Sequence, residues 1–276
     1  MKIITLALAA LLSTGAPAVD NDQPETMQEQ QIVHVSQTGK STVAEIRLKY
    51  EQGQYDDFLK EMDTSYRHVQ ETGQLAPLAE MRGEPIEDTE WLTKTYMLTQ
   101  ERNRDLLAAV NGQEGLFAEQ VRSIASQPAS EEEATALANL SKLHLMAPGK
   151  GKNSDENALI ALDLEYEYKA IHLDMPVIGG KVDPAALEKQ IVLRMEKMDK
   201  MRTIAQGMQD EEWKKTVSLA GNTLDTRLSA MVDRAEIDSL LKGQEKPADA
   251  VQEKVVTIFQ VHQDKMDEIV ANVVPS

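Results

Sequence analysis

The sequence predicts an all-α fold, a multi-helix bundle of seven or eight antiparallel helices joined by short loops. Three observations carry this. The chain is rich in Ala, Leu, Met, Glu, Gln and Lys, the residues that lose least on entering a helix, and holds only three Phe and two Trp. Apolar residues recur three and four apart in almost every stretch between breakers. Helix starts are written out: Thr42-x-x-Glu45 and Ser130-x-x-Glu133 are capping boxes, and Asp183-Pro184 joins an N-cap to a proline at the first helical position.

Taken in order, the chain opens with Met1-Lys2, an apolar run from Ile3 to Leu12, and the small-residue end Ala16-Pro17-Ala18. This has the three regions of a secretory signal peptide over 1–18. The apolar run is shorter than the ~20 residues that span a bilayer. The expectation is export through this N-terminal signal to a periplasmic or secreted location of bacterial style, with no transmembrane anchor in the mature form. Residues 19–40 carry acids, Gln and Pro and read as an acidic flexible leader, with one apolar patch at Ile32–Val35.

An N-terminal helical subdomain is expected over 41–146. Its first helix holds Ile46 and Tyr50, breaks at Gly53, and is followed by a second helix striped by Tyr55, Phe58, Met62 and Tyr66 that ends at Gly73. A loop over 73–88 has one short apolar piece, Leu75 to Met81. Further helices run from Asp88 or Thr89 to Val110, from Leu116 to Ala125, and from Ser130 to Leu145. Ala147-Pro148-Gly149-Lys150-Gly151-Lys152-Asn153 is the clearest internal loop and marks the boundary.

A C-terminal helical subdomain is expected over 155–276. In 159–173, Leu162, Leu164, Tyr166 and Tyr168 alternate with acids as in a strand. Leu159, Leu162, Tyr166, Ala170 and Leu173 also form a helical stripe, and Glu165 and Lys169 stand four apart, so the segment reads as helix. Pro176 and Gly179-Gly180 make a break. Asp183 to Met208 follows, then one helix from Asp210 to Gly243 striped by Trp213, Val217, Ala220, Leu224, Leu228, Met231 and Ala235. A last helix opens at Pro247.

Charge and composition limit the partners. The net charge is −17, or −18 without the signal peptide. Such a chain repels nucleic-acid phosphate, whose binding rests on Lys and Arg, so no nucleic-acid partner is expected. There is no cysteine, and a chain of this length does not need disulfides to hold a core.

Motifs that carry chemistry are incomplete. Gly39-Lys40-Ser41 precedes a helix, but His34 stands where a phosphate-binding P-loop needs glycine. Ser239-x-x-Lys242 has the serine–lysine spacing of penicillin-recognising enzymes but lacks their companion motifs. The residues three before His34, His68, His144, His172 and His262 are Gln31, Ser65, Ser141, Lys169 and Phe259, so the Glu-x-x-His ligands of diiron bundles are missing. His262 lies on an apolar stripe and is expected as a packed, hydrogen-bonded core residue. Tyr50-x-x-Gly53-x-Tyr55 resembles the hinge of a tetratricopeptide repeat. The resemblance covers residues 50–58 alone and implies a helical hairpin.

Met195, Met198 and Met201, with Met208 near the same arc, form the one candidate binding face. Their spacing fits a core seam, a promiscuous groove or a soft-metal site, and the core reading is preferred. No cofactor is expected, and no catalytic or metal residue is assigned. The functional expectation is a non-catalytic interaction, scaffold or chaperone-like module whose partner is another protein or peptide. The alternatives are an exported enzyme with dispersed catalytic residues and a methionine-based metal carrier.

Overall fold

The computed structural model describes residues 42–83, 90–125, 131–179, 181–242 and 249–273. The expected signal peptide and leader, the Gly39-Lys40-Ser41 motif, the Ser130 cap and the breaker Gly243 lie outside these residues. The fold is all-α, with eleven helices among the described residues rather than seven or eight. They are α1 (Val43–Glu51), α2 (Asp56–Glu71), α3 (Ala76–Glu80), α4 (Glu90–Ala109), α5 (Leu116–Ala125), α6 (Glu131–Leu145), α7 (Ser154–Ile171), α8 (Pro184–Gly207), α9 (Glu211–Asn222), α10 (Leu224–Lys242) and α11 (Ala250–Val273).

Local chemistry sets most of the boundaries. Thr42 Oγ1 accepts from the Glu45 N–H while the Glu45 carboxylate accepts from the Thr42 N–H, so both halves of the predicted capping box are made. Asn153, Asp183 and Asp210 cap α7, α8 and α9 with side-chain oxygens. The last helix is capped at Asp249, whose carboxylate accepts from the N–H groups of Val251 and Gln252. Gly53 and Gly73 end α1 and α2 at φ of 72° and 73°, a conformation that a Cβ penalises.

Three elements differ from the sequence reading. The apolar piece expected within the 73–88 loop forms the short helix α3. The long helix expected from Asp210 to Gly243 is interrupted at Thr223, whose buried hydroxyl donates to the Ala220 carbonyl as the backbone leaves helical geometry. The break between α7 and α8 contains a small antiparallel hairpin, β1 (Val177–Ile178) and β2 (Lys181–Val182), with Val177 opposite Val182 and Ile178 opposite Lys181. Val177 and Val182 face the core, which leaves Ile178 and Lys181 outward.

Two cores form. The larger is built on the antiparallel pair α7 and α8, flanked by α1, α2, α6, α9 and the first half of α10. The smaller joins α4 and α5 to the second half of α10 and to α11. Each core draws helices from both the 41–146 and 155–276 stretches. Fully buried aliphatic side chains such as Ile160, Ile191 and Leu143 each contribute roughly 1.5–3 kcal/mol.

Candidate functional site

The methionine face expected as a possible binding surface is inside the larger core. Met195, Met198, Met201 and Met208 are 1%, 8%, 1% and 2% exposed. The face is covered because α8 is the central helix, packed by α7, α9 and α1 around its girth. Its thioethers fill an irregular interior and reach no surface.

The polar groups that stand out are buried charges, in two places. The first is a network around Asp163 on α7, whose side chain is 3% exposed. The isolated parallel bridge between Gly83 and Met146 positions part of it: the Gly83 N–H donates to the Leu145 carbonyl, and the Ala147 N–H donates to Gly83. This brings Arg82 against the last turn of α6. Arg82 Nη2 then lies 2.7 Å from Asp163 Oδ2 and 2.6 Å from Glu167 Oε2. His144 Nδ1 is 2.9 Å from Asp163 Oδ2, and its Nε2 is 3.7 Å from Glu167 Oε1. Lys197 on α8 donates to Asp163 Oδ1. Burial pushes the Asp163 carboxyl up, but Lys197, His144 and Arg82 together hold it well below the usual carboxylate range.

His144, Asp163 and Glu167 each offer a ligand atom within 4.8 Å of the others, the spacing of a three-donor metal site. Their oxygens are already engaged. Arg82 bridges both carboxylates and Lys197 holds the remaining Asp163 oxygen, so a dication would meet two fixed cations at the same atoms. The donor set matches a metal in type and spacing and opposes one in charge.

A second group of charges sits on the adjoining face of α7. Lys169 is fully buried, donates to Asp63 and Glu165, and lies 4.5 Å from the Tyr166 ring centroid. Lys200 approaches Glu196 at 3.3 Å and is itself pushed up, burial opposing Glu196, Glu165 and Asp63. Burial and the Glu196 carboxylate also push the Tyr166 phenol up. The Tyr166 hydroxyl and Glu196 Oε2 are both buried within this group.

The hinge residues Tyr50 and Tyr55 join the α1–α2 hairpin to α8, donating to Asp199 at 2.9 Å and Glu188 at 2.5 Å. Burial and these carboxylates push both phenols up. Of the histidines that the sequence leaves without a metal motif, His68 is exposed on α2, and His172 closes α7 with Nδ1 2.8 Å from the Tyr168 carbonyl. His34 and the Lys242 side chain lie outside the described residues.

The second place is the smaller core. Arg102 on α4 is buried, with Nε and Nη2 at 3.1 and 2.8 Å from Asn103 Oδ1. The guanidinium carbons of Arg102 and of Arg234 on α10 lie 5.8 and 3.8 Å from the Phe259 ring centroid on α11. One turn along α11 is His262. It is packed, as its stripe implies, yet its Nε2 is buried without a hydrogen-bond partner among the described residues, which corrects the expectation of a hydrogen-bonded imidazole. Burial and the charges of Arg102, Arg234 and Lys265 hold it down to about 3. Burial and Arg234 lower Arg102 to about 9.

On the α5-facing side of α10, burial is the main cause that raises Asp233 to about 7. A hydrogen bond with Ser123 opposes the rise and the Glu236 charge adds to it. Concavities among the described residues include two open depressions lined largely by polar side chains. One lies between α4 and α11 around Asp105 and Lys254, the other along α2 around Asp57 and His68. No helix of the described residues is long and apolar enough to cross a membrane. No protein-family model matches the chain, and no curated protein or solved structure is significantly similar to it.

Proposed function

We propose that the mature chain is exported and acts by binding another protein or peptide rather than by turning over a substrate. One observation carries the reading. Ile171, Met175 and Ile178, three large apolar side chains within eight residues, are 49%, 59% and 62% exposed where α7 gives way to the hairpin. Single exposed apolar residues are ordinary, but several within two turns' length of chain suit a surface that a partner covers. Lys181 stands opposite Ile178, giving the patch a polar rim of the kind protein interfaces carry.

The same reading is supported by the charged groups around Asp163, where Arg82 and Lys197 are spent on carboxylate oxygens. The metal-carrier alternative loses its ligands, because the four methionines are packed away from solvent.

The test is a paired capture. Mature wild-type chain and a Met175→Lys/Ile178→Lys variant are photo-crosslinked from position 181 in the envelope fraction. Both changed side chains point outward, so the melting temperature is expected to stay the same while one discrete adduct disappears. An adduct that persists in the variant sinks this surface. An intact Met1 on the protein recovered from cells sinks the export reading.

A further inference from the structure

We propose that Asn111, in the turn between α4 and α5, is a site of spontaneous deamidation whose products unfasten that turn. The apolar turn after α7 takes no part, so either proposal can fail without the other.

Asn111-Gly112 is the only Asn-Gly pair in the sequence. It lies just past the end of α4 at Ala109, and both residues are exposed. The turn calls for the glycine, because its φ is 71°, where a Cβ is penalised. The same missing side chain leaves the Gly112 nitrogen unshielded. Beyond the chain neighbours, no described atom stands within 4 Å of where a Cβ would project. Among the described residues neither the Gly112 N–H nor the Asn111 carboxamide has a hydrogen-bond partner.

The reaction is intramolecular. The Gly112 nitrogen attacks the Asn111 side-chain carbonyl carbon, which the chain already holds beside it, so no second reactant has to be gathered. Hydroxide removes the Gly112 amide proton as the new N–C bond forms. The C–N bond of the carboxamide then breaks, and Nδ2 leaves as ammonia with a proton from water. Water opens the cyclic imide at either carbonyl. One opening gives aspartate at 111. The other gives isoaspartate, in which the main chain runs through the side-chain carbons. One water is consumed and one ammonia is released.

Two other asparagines supply the contrast. Asn153 accepts from the Glu156 N–H at 2.9 Å and donates to Asp210 at 3.2 Å. Asn157 donates to the carbonyls of Asn153 and Gly151 at 2.8 and 3.1 Å. Both carboxamides must give up these bonds before they can turn toward the next nitrogen.

The main chain is fastened across the Asn111-Gly112 pair. Arg122 of α5 donates through Nη2 to the Val110 carbonyl at 3.1 Å and to the Gln113 carbonyl. The Gln113 N–H also donates to Val110, at 3.1 Å. Val110 itself is fully buried in the smaller core. Isoaspartate lengthens the main chain between these two carbonyls by one atom and so spreads the pair that Arg122 grips. Aspartate instead places a carboxylate beyond the C-terminal end of α4, the negative end of its dipole. Both products load the corner between α4 and α5, and the chain has no route back. The corner weakens with the age of the molecule.

The full mature chain is aged at pH 8.5 and 37 °C and mapped by peptide mass spectrometry at intervals. Ammonia loss at Asn111 is expected to run about tenfold or more faster than at Asn153 and Asn157, with both aspartate and isoaspartate formed. Asn111→Gln, which would have to close a larger ring, should stay unconverted. The aged wild-type fraction, separated by its added negative charge, is then compared with fresh protein by amide hydrogen exchange. Amides in the last turn of α4 and the first turn of α5 should exchange about threefold or more faster, while those of α7 and α8 stay the same. Aged Asn111→Gln should match its own fresh sample. Conversion at Asn111 no faster than at Asn153 and Asn157 overturns the proposal, as does unchanged exchange at the corner of the converted fraction.

Discussion

The two cores bury charge in opposite ways. Around Asp163, two carboxylates meet Arg82, Lys197 and His144, and each cation lies within reach of an acid. Around Phe259, two guanidinium groups and an imidazole face one another while amide and ring nitrogens go unbonded. The first arrangement locks the segment after α3 to α6, α7 and α8, because every member needs the others to remain buried. The second lowers the pKa values of Arg102 and His262. A network in which every cation has an acid within reach reads as architecture.

The largest test of this contrast is Asp163→Ala. It strands Arg82, His144 and Lys197 in a dry interior, and removing one partner of a buried ion pair typically costs about 3–5 kcal/mol. Urea denaturation of the variant should show that loss at neutral pH. The sign of the pH dependence follows from the depressed folded pKa of Asp163. Its stabilisation is present above the unfolded carboxyl value and is lost as pH falls through the folded one. Wild type should therefore lose stability on acidification from that value downward, and Asp163→Ala should lose less over the same range. A cost under about 1 kcal/mol would remove the distinction between the cores.

Asp233→Asn should act in the other direction. The folded carboxyl is raised to about 7, so the native state holds a proton that the unfolded chain has released between its own pKa and that value. Stability then falls as pH rises through this window. The variant should melt a few degrees higher than wild type at pH 8 and level with it near pH 4, by calorimetry across that range.

His262→Leu tests the cation-rich cluster directly. Its folded pKa of about 3 lies below the unfolded value of 6.5. The unfolded chain binds the extra proton between these limits, so wild-type stability rises with pH through them and is complete above 6.5. Replacing His262 should flatten the slope between pH 4 and pH 6 and leave stability above pH 7 nearly unchanged. Unfolding free energies at each pH would show whether the slope persists.

The smallest effect is expected for Arg102→Met with Asn103→Leu. Replacing both partners of a hydrogen-bonded pair by apolar groups is often close to neutral, and the change also relieves repulsion from Arg234. The double variant should cost less than half of what Asp163→Ala costs in the same urea experiment. An equal cost would mean that both clusters are architectural.

How far the sequence carried differs between fold and site. The Thr42 box, the Asp183 and Asp210 caps and the glycines at 53 and 73 all act over four or five residues, so their residues alone place the helix ends. The helical reading of 159–173 was right for a related reason. The Leu159–Tyr166 stripe fits one buried side of α7, and alternation with acids did not make a strand. Asp163 left a local signal too. It stands four residues after Leu159 and three before Tyr166, an acid at the edge of an apolar stripe. Its partners left none. Arg82, His144 and Lys197 lie 81, 19 and 34 residues away, and spacing gives no way to choose them among 29 Lys and Arg and 5 His.

The sequence by itself therefore determined the helices, their caps and the acidity, because capping, periodicity and charge are local or additive. Only the tertiary structure decided that the methionine stripe is interior, that Thr223 divides a helix, and that one set of buried charges is balanced while another is not. Burial and charge pairing depend on which distant helices come to rest against each other, and that is a property of packing.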